Sequence, residues 1–214
     1  MTGIISDNVG RPSGLIKAAS GGGGGVWTLI KTLTASGDSD LSFVDGASDV
    51  VLDSTYPIYV FKFINIHPNA DSAEFGFQTD TGTNTNYNQT ITSTWFNAFH
   101  RQDDVVTGLS YQTDHDQAQG TGLQHLVFNM DNGNEDSLSG TLQIFNPSSS
   151  TFVKHFIGTF QYSGDGDSDE AYSVNSFVAG YVNTTTALTR FQFKFASNDI
   201  DAGKIKLYGL KDSA

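Results

Sequence analysis

The stretch "LTRFQFKFAS", residues 188–197, decides the fold. Phe191, Phe193 and Phe195 alternate with Arg190, Gln192 and Lys194. An extended chain puts the three rings on one side and the polar groups on the other, whereas a helix would turn Phe193 away from its two neighbours. The stretch therefore predicts a half-buried strand with a solvated outer face.

The same alternation recurs on either side. "ITSTWFNAF", residues 91–99, sets Ile91, Trp95 and Phe99 on one face, and "AEFGF", residues 73–77, sets Phe75 beside Phe77. Other runs are apolar on both faces. In "PIYVFKFINI", residues 57–66, Ile58, Val60, Ile64 and Ile66 oppose Tyr59, Phe61 and Phe63. A strand of that kind is covered on both sides. The cover is either a second sheet plus a loop or a neighbouring subunit, and Ile58, Tyr59, Val60, Phe61 and Phe63 are the candidate contact with such a neighbour. Between the runs lie "TDTGTNTN", "NMDNGNEDS", "NPSSS", "GDGDSDE" and "SNDIDAG", the vocabulary of hairpins and loops. No stretch keeps a helical period for long. About nine to eleven strands are expected, which fits an all-β fold, an antiparallel two-sheet β-sandwich of jelly-roll type.

Composition narrows the chemistry. The 214 residues carry 23 acidic against 11 basic side chains, a formal charge of −12, and no cysteine. Such acidity argues against nucleic acid, whose phosphates call for basic patches, and against anionic membrane surfaces. No run approaches the roughly 18 apolar residues of a membrane span. "MTGIISDNVGRPSG" lacks the basic start and apolar run of a signal peptide, so the chain is expected to stay where it is made.

The N-terminus differs from the rest. Polar, glycine-containing sequence precedes five consecutive glycines, Gly21 to Gly25, and only then does strand-like text begin at Val26. A glycine run has no side chain to pack and acts as a joint. The expected organisation is an irregular arm over 1–19, a linker over 20–25 and a β-domain over 26–214.

Catalytic and metal motifs are sparse. Asp165, Asp167 and Asp169 in "GDGDSDEA" have the opening spacing of a calcium loop, but Glu170 stands where a glycine is needed and Ser176 where a bidentate glutamate is needed. They form a weak calcium candidate beside the reading of a solvated hairpin tip. The five histidines, His67, His100, His115, His125 and His155, lack close metal-ligand spacing. His115, between Asp114 and Asp116, reads as an exposed loop residue, and His67 and His155 read as structural. There is no G-x-S-x-G elbow, and no Gly-Lys-Ser/Thr follows the glycines. No cofactor is expected, nor catalysis. Exposed aromatics remain. Tyr87 with Asn88, and Tyr111, are the candidate glycan-binding residues, with Tyr162 and Tyr172 flanking the acidic loop.

Four stretches, "ISDNVGRPSGLIKAA" before the glycines, "VLDSTYPIYVFKFINIHP", "NPSSSTFVKHFIGT" and "FKFASNDIDAGKIKLYGL", together resemble small virion proteins of tailed, especially marine, bacteriophages. The resemblance implies a structural protein of the virion, a short fibre, appendage or capsid decoration. Ser6, Asp7, Asn8, Val9, Gly10 and Arg11 would then form the docking segment on capsid or tail proteins, with the β-domain displayed. A homo-oligomer, with a trimer favoured, and contact with a host surface glycan complete the expectation. The rival expectation is a carbohydrate-binding module gripping a host polysaccharide.

Overall fold

The computed structural model describes residues 27–164 and 171–211. Among them there is no helix, and thirteen strands alternate with turns. In chain order they are β1 (Trp27–Ala35), β2 (Leu41–Val44), β3 (Ile58–Pro68), β4 (Ala73–Thr81), β5 (Ile91–Arg101), β6 (Thr107–Tyr111) and β7 (Ala118–Gly120). There follow β8 (Gln124–Met130), β9 (Leu138–Phe145), β10 (Lys154–Gly164), β11 (Tyr172–Val182), β12 (Leu188–Phe195) and β13 (Ile200–Leu210).

All pairing is antiparallel, and hydrogen bonding runs through one large sheet that curls until it nearly closes into a barrel. The path is β1-β13-β3-β9-β10-β8-β4-β12-β2, with β11 joining β10 to β5 and β5 carrying β6 and β7. The link between β10 and β8 is a single pair, Gly164 with Met130. By contrast, β10 and β11 pair along their whole length.

Phenylalanine fills the interior. Phe191, Phe193 and Phe195 of β12 are all buried, as are Phe61 and Phe63 of β3, Phe75 and Phe77 of β4, and Phe156 and Phe160 of β10. Rings from strands that share no hydrogen bonds meet across the centre. Phe193 lies 4.8 Å from Phe61 and 5.1 Å from Phe63, and Phe77 lies 5.2 Å from Phe156. Most of these pairs are edge-to-face, an arrangement worth about 0.5–1.5 kcal/mol beyond area burial.

The run at β3 is covered within one chain, which corrects the expectation that Ile58, Tyr59, Val60, Phe61 and Phe63 face a neighbour. Tyr59, Phe61 and Phe63 point into the core. Val60, on the opposite face, is buried between its cross-strand neighbours Tyr208 and Gln143. Ile58 is half-buried at the strand's start. The register shifts after Phe63 on the β9 side, and Asn65 adopts a positive φ of 50°. This bulge turns Ile66 inward with Tyr59, Phe61 and Phe63, and so breaks the simple alternation. Facing it, Gly203 has φ 116°, and a Cβ there would meet the Asn65 carbonyl oxygen at 2.4 Å. Only glycine fits that position.

One lysine belongs to the core. Lys154 is fully buried, and its Nζ donates to the carbonyls of Phe152, at 2.9 Å, and Thr184, at 3.0 Å. Burial lowers the pKa of its ammonium group.

Candidate functional site

The interior opens at the end where β5, β8, β10 and β11 converge, leaving a cavity of about 460 Å³. Each wall follows from strand parity. Inward positions of β5 supply Asn97 and Phe99, β11 supplies Tyr172 and Val174, and β10 supplies Tyr162. β8 adds Phe128 and Asn129, and the segments flanking β6 add Val106 and Gln112. Among the described residues, aspartate, glutamate, lysine, arginine and histidine are all missing from this lining. In a chain with 23 acidic residues, that makes the cavity a neutral compartment.

Its polar groups are held in place. Asn97 is buried, and its Oδ1 accepts from Gln112 Nε2 at 3.4 Å, while the Gln112 backbone N–H donates to the Trp95 carbonyl. The Tyr162 hydroxyl is buried and, among the described residues, makes no well-formed hydrogen bond. Burial pushes its ionisation far up, and the facing Phe128 amide opposes this only in part. A buried hydroxyl without a partner is costly in a folded protein. The Phe99 and Tyr172 rings stand 6.0 Å apart at an interplanar angle of 70°, and thus form a corner.

Phe128 also stacks on His115, at 4.2 Å and 29°. His115 in turn stacks on His125, and their Nδ1 atoms are 3.0 Å apart. One imidazole must donate and the other accept, so this contact requires at least one neutral ring. Burial lowers both pKa values. The neighbouring imidazole lowers that of His115 further, while Glu74 and Asp114 pull it up, and Glu74 alone opposes the burial of His125. Glu74 Oε2 lies 3.8 Å from His125 Nε2. The expectation of an exposed loop histidine at 115 is thereby corrected. The two histidines are ten residues apart and have no common motif. Only the return of the chain along β8 brings them together.

A second depression of about 650 Å³, with polar and apolar walls, lies on the outer face near the same strand ends. His100, Ser139, Gln161 and Ser173 line it, with Glu135 and Asp136 at one side. Tyr172 and Tyr162 line both hollows. Sequence reasoning placed these two tyrosines beside the acidic loop but gave no sign that they border a cavity.

The glycan candidates are dispersed. Tyr87 has φ 49° and is held by its backbone N–H to Asp80 Oδ2 at 2.9 Å. With Gln78, Gln192 and Lys194 it lines a smaller hollow of about 320 Å³ over β4 and β12. Asn88 follows it in the β4–β5 connection. Tyr111 lies on the outer face of β6, its hydroxyl donating to the Asp116 carboxylate, which raises its pKa. It is 50% exposed and pairs across the strands with Phe96, which stacks on Phe177 at 5.0 Å. The docking residues Ser6 to Arg11, the glycine linker and the calcium candidates Asp165, Asp167 and Asp169 lie outside the described residues. Among the described residues, no group of three or more His, Asp or Glu side chains is placed to hold a metal ion.

No family model, curated protein or solved structure matches this chain.

Proposed function

We propose that the chain is a non-enzymatic structural protein of a bacteriophage virion. Its N-terminal arm docks on capsid or tail proteins, and its β-domain is displayed as a homo-oligomer, with a trimer favoured. The finer architecture belongs to the same reading, a two-layer, jelly-roll-like arrangement. The rings of β3 and β10 that meet those of β2, β4 and β12 across the interior support it, as does the single-pair junction at Gly164.

The observation that carries the reading is a mainly apolar area on the outer face, with the Asp116 carboxylate at its edge against the Tyr111 hydroxyl. Phe96 of β5, Phe177 of β11 and Tyr111 of β6 form a cross-strand ladder. Leu109 (75% exposed), Ala98, Ala179 and Ile157 surround it. Copies of a chain with charge −12 repel one another, and a mainly apolar face is where they can meet. This area replaces the β3 residues as the proposed contact between copies. β1 also supports an arm-and-domain division. Among the described residues it is the terminal strand of its path and pairs only with β13, so Trp27, where the described residues begin, stands at a sheet edge.

Light-scattering-coupled chromatography of the full chain at micromolar concentration is expected to show an oligomer that Phe96→Glu dissociates. A monomeric wild-type chain would refute the oligomer. Deleting residues 1–25 is expected to abolish incorporation into the particle, and normal incorporation would refute the docking arm.

A second reading, a carbohydrate-binding module, is favoured by one observation. The neutral cavity combines aromatic walls with three carboxamides, Asn97, Gln112 and Asn129.

A further inference from the structure

Resting on that second reading, we propose that the cavity bounded by Asn97, Phe99, Phe128, Tyr162 and Tyr172 binds one neutral pyranose unit, with the Tyr162 hydroxyl donating to a sugar oxygen.

Size comes first. At about 460 Å³ the space falls within the roughly 300–1,000 Å³ typical of small-molecule sites. Charge comes second. Among the described residues the lining holds no ionisable group other than phenols, so that lining presents no charge to pair with a sulfate, phosphate, carboxylate or ammonium. Hydrogen-bonding character comes third. A carboxamide presents a donor and an acceptor in one plane, and each sugar hydroxyl both donates and accepts. Asn97 is fixed by Gln112, and such preorganisation lowers the ordering cost of binding.

The shape of the walls separates a sugar from a flat heterocycle. A nucleobase is gripped best between parallel rings. Phe99 and Tyr172 instead meet at 70°, which leaves a corner suited to a thick, puckered ring whose C–H faces lie against the aromatic surfaces. Tyr162 supplies the independent sign of a ligand. Its hydroxyl is buried, lines the space and makes no well-formed hydrogen bond among the described residues. A site built around such a group discriminates strongly for a ligand that satisfies it.

The test is saturation-transfer NMR and titration calorimetry of the full chain. The probes are methyl glycosides of glucose, galactose, mannose and N-acetylglucosamine, with adenosine and uridine as flat neutral controls. Binding of at least one glycoside is expected. Tyr162→Phe should weaken it about five- to tenfold, the worth of one neutral hydrogen bond. The melting temperature should stay unchanged or rise, because the lost hydroxyl makes no well-formed bond among the described residues. Tyr172→Ala should abolish binding, and Tyr87→Ala should leave it intact. Glycoside binding that survives Tyr162→Phe and Tyr172→Ala but is lost in Tyr87→Ala or Tyr111→Ala would overturn the cavity and leave the carbohydrate reading standing. No binding of any glycoside at millimolar concentration would overturn both. Preferential binding of a nucleoside, lost in Tyr172→Ala, would overturn the sugar assignment.

Discussion

Replacing Phe193 by alanine is expected to cost about 4 kcal/mol of stability, near the middle of the range of about 3–5 for a buried Phe→Ala change. The ring is fully buried and contacts four others, Phe61 at 4.8 Å, Phe63 at 5.1 Å, Phe43 at 6.2 Å and Phe77 at 6.3 Å. These neighbours sit on three other strands, each tied into its own ladder, so they cannot close over the void. With a urea slope of about 2.5 kcal/mol/M, 4 kcal/mol lowers the unfolding midpoint by about 1.6 M. Phe193→Leu, which nearly conserves volume, should cost less than about 1.5 kcal/mol. Gln192→Ala, one residue away on the opposite face, should change stability by no more than about 0.5 kcal/mol. The assay is urea denaturation followed by tryptophan fluorescence and far-ultraviolet circular dichroism. A slip of one residue would exchange the roles of 192 and 193. Comparable costs at the two positions, or a loss below about 1.5 kcal/mol for Phe193→Ala, would refute the assigned register and the closed ring cluster.

Three further outcomes follow from the same geometry. His115 and His125 have folded pKa values below the ordinary 6.5, so below that pH the unfolded chain binds more protons than the folded one. Stability should therefore be complete above pH 6.5 and fall as the pH drops from there towards the folded values. Denaturant titrations between pH 7.5 and 5.5 should show the fall, and His125→Asn should flatten it; an equally steep fall in that variant would exclude the pair as its cause. Gly203→Ala should destabilise by more than about 2 kcal/mol, since it joins a positive φ to a clash with the Asn65 carbonyl, and a thermal melt matching wild type would contradict the bulge. Asp80 is buried and accepts from Thr81 N–H, Tyr87 N–H and Gln89 Nε2. Asp80→Ala should loosen the β4–β5 connection and speed its amide exchange, and unchanged protection at Tyr87 would show that the carboxylate does not hold it.

Strand text with strict alternation was legible because one face of each such strand meets rings and the other meets water. This held for Phe191, Phe193 and Phe195, and for Ile91, Trp95 and Phe99. The run from Ile58 to Ile66 reads as a strand, but its spacing leaves open whether a second sheet or another subunit covers it. The bulge at Asn65 carries Ile66 to the inner face, and Tyr208 and Gln143 shield Val60, neither of which spacing reveals. The strand count fell short because brief strands such as β7 carry no alternation of their own. The cavity was hidden for a different reason. Asn97 and Phe99 are far in sequence from Phe128, Tyr162 and Tyr172, and only pairing of β5 with β11, and β11 with β10, brings most of them together. A polar residue at an inward position, Asn97 between Trp95 and Phe99, was the one available signal.

The sealed ammonium of Lys154 has a consequence for covalent labelling. Acylating reagents attack neutral amines. Burial favours the neutral form at this residue, yet the surrounding chain denies the reagent access. Every other lysine in the described segments reaches solvent and should acylate promptly. Lys154 should react only when β10 parts from the turn after β11, so the slow arrival of its adduct in a mass spectrum times the opening of the molecule's interior.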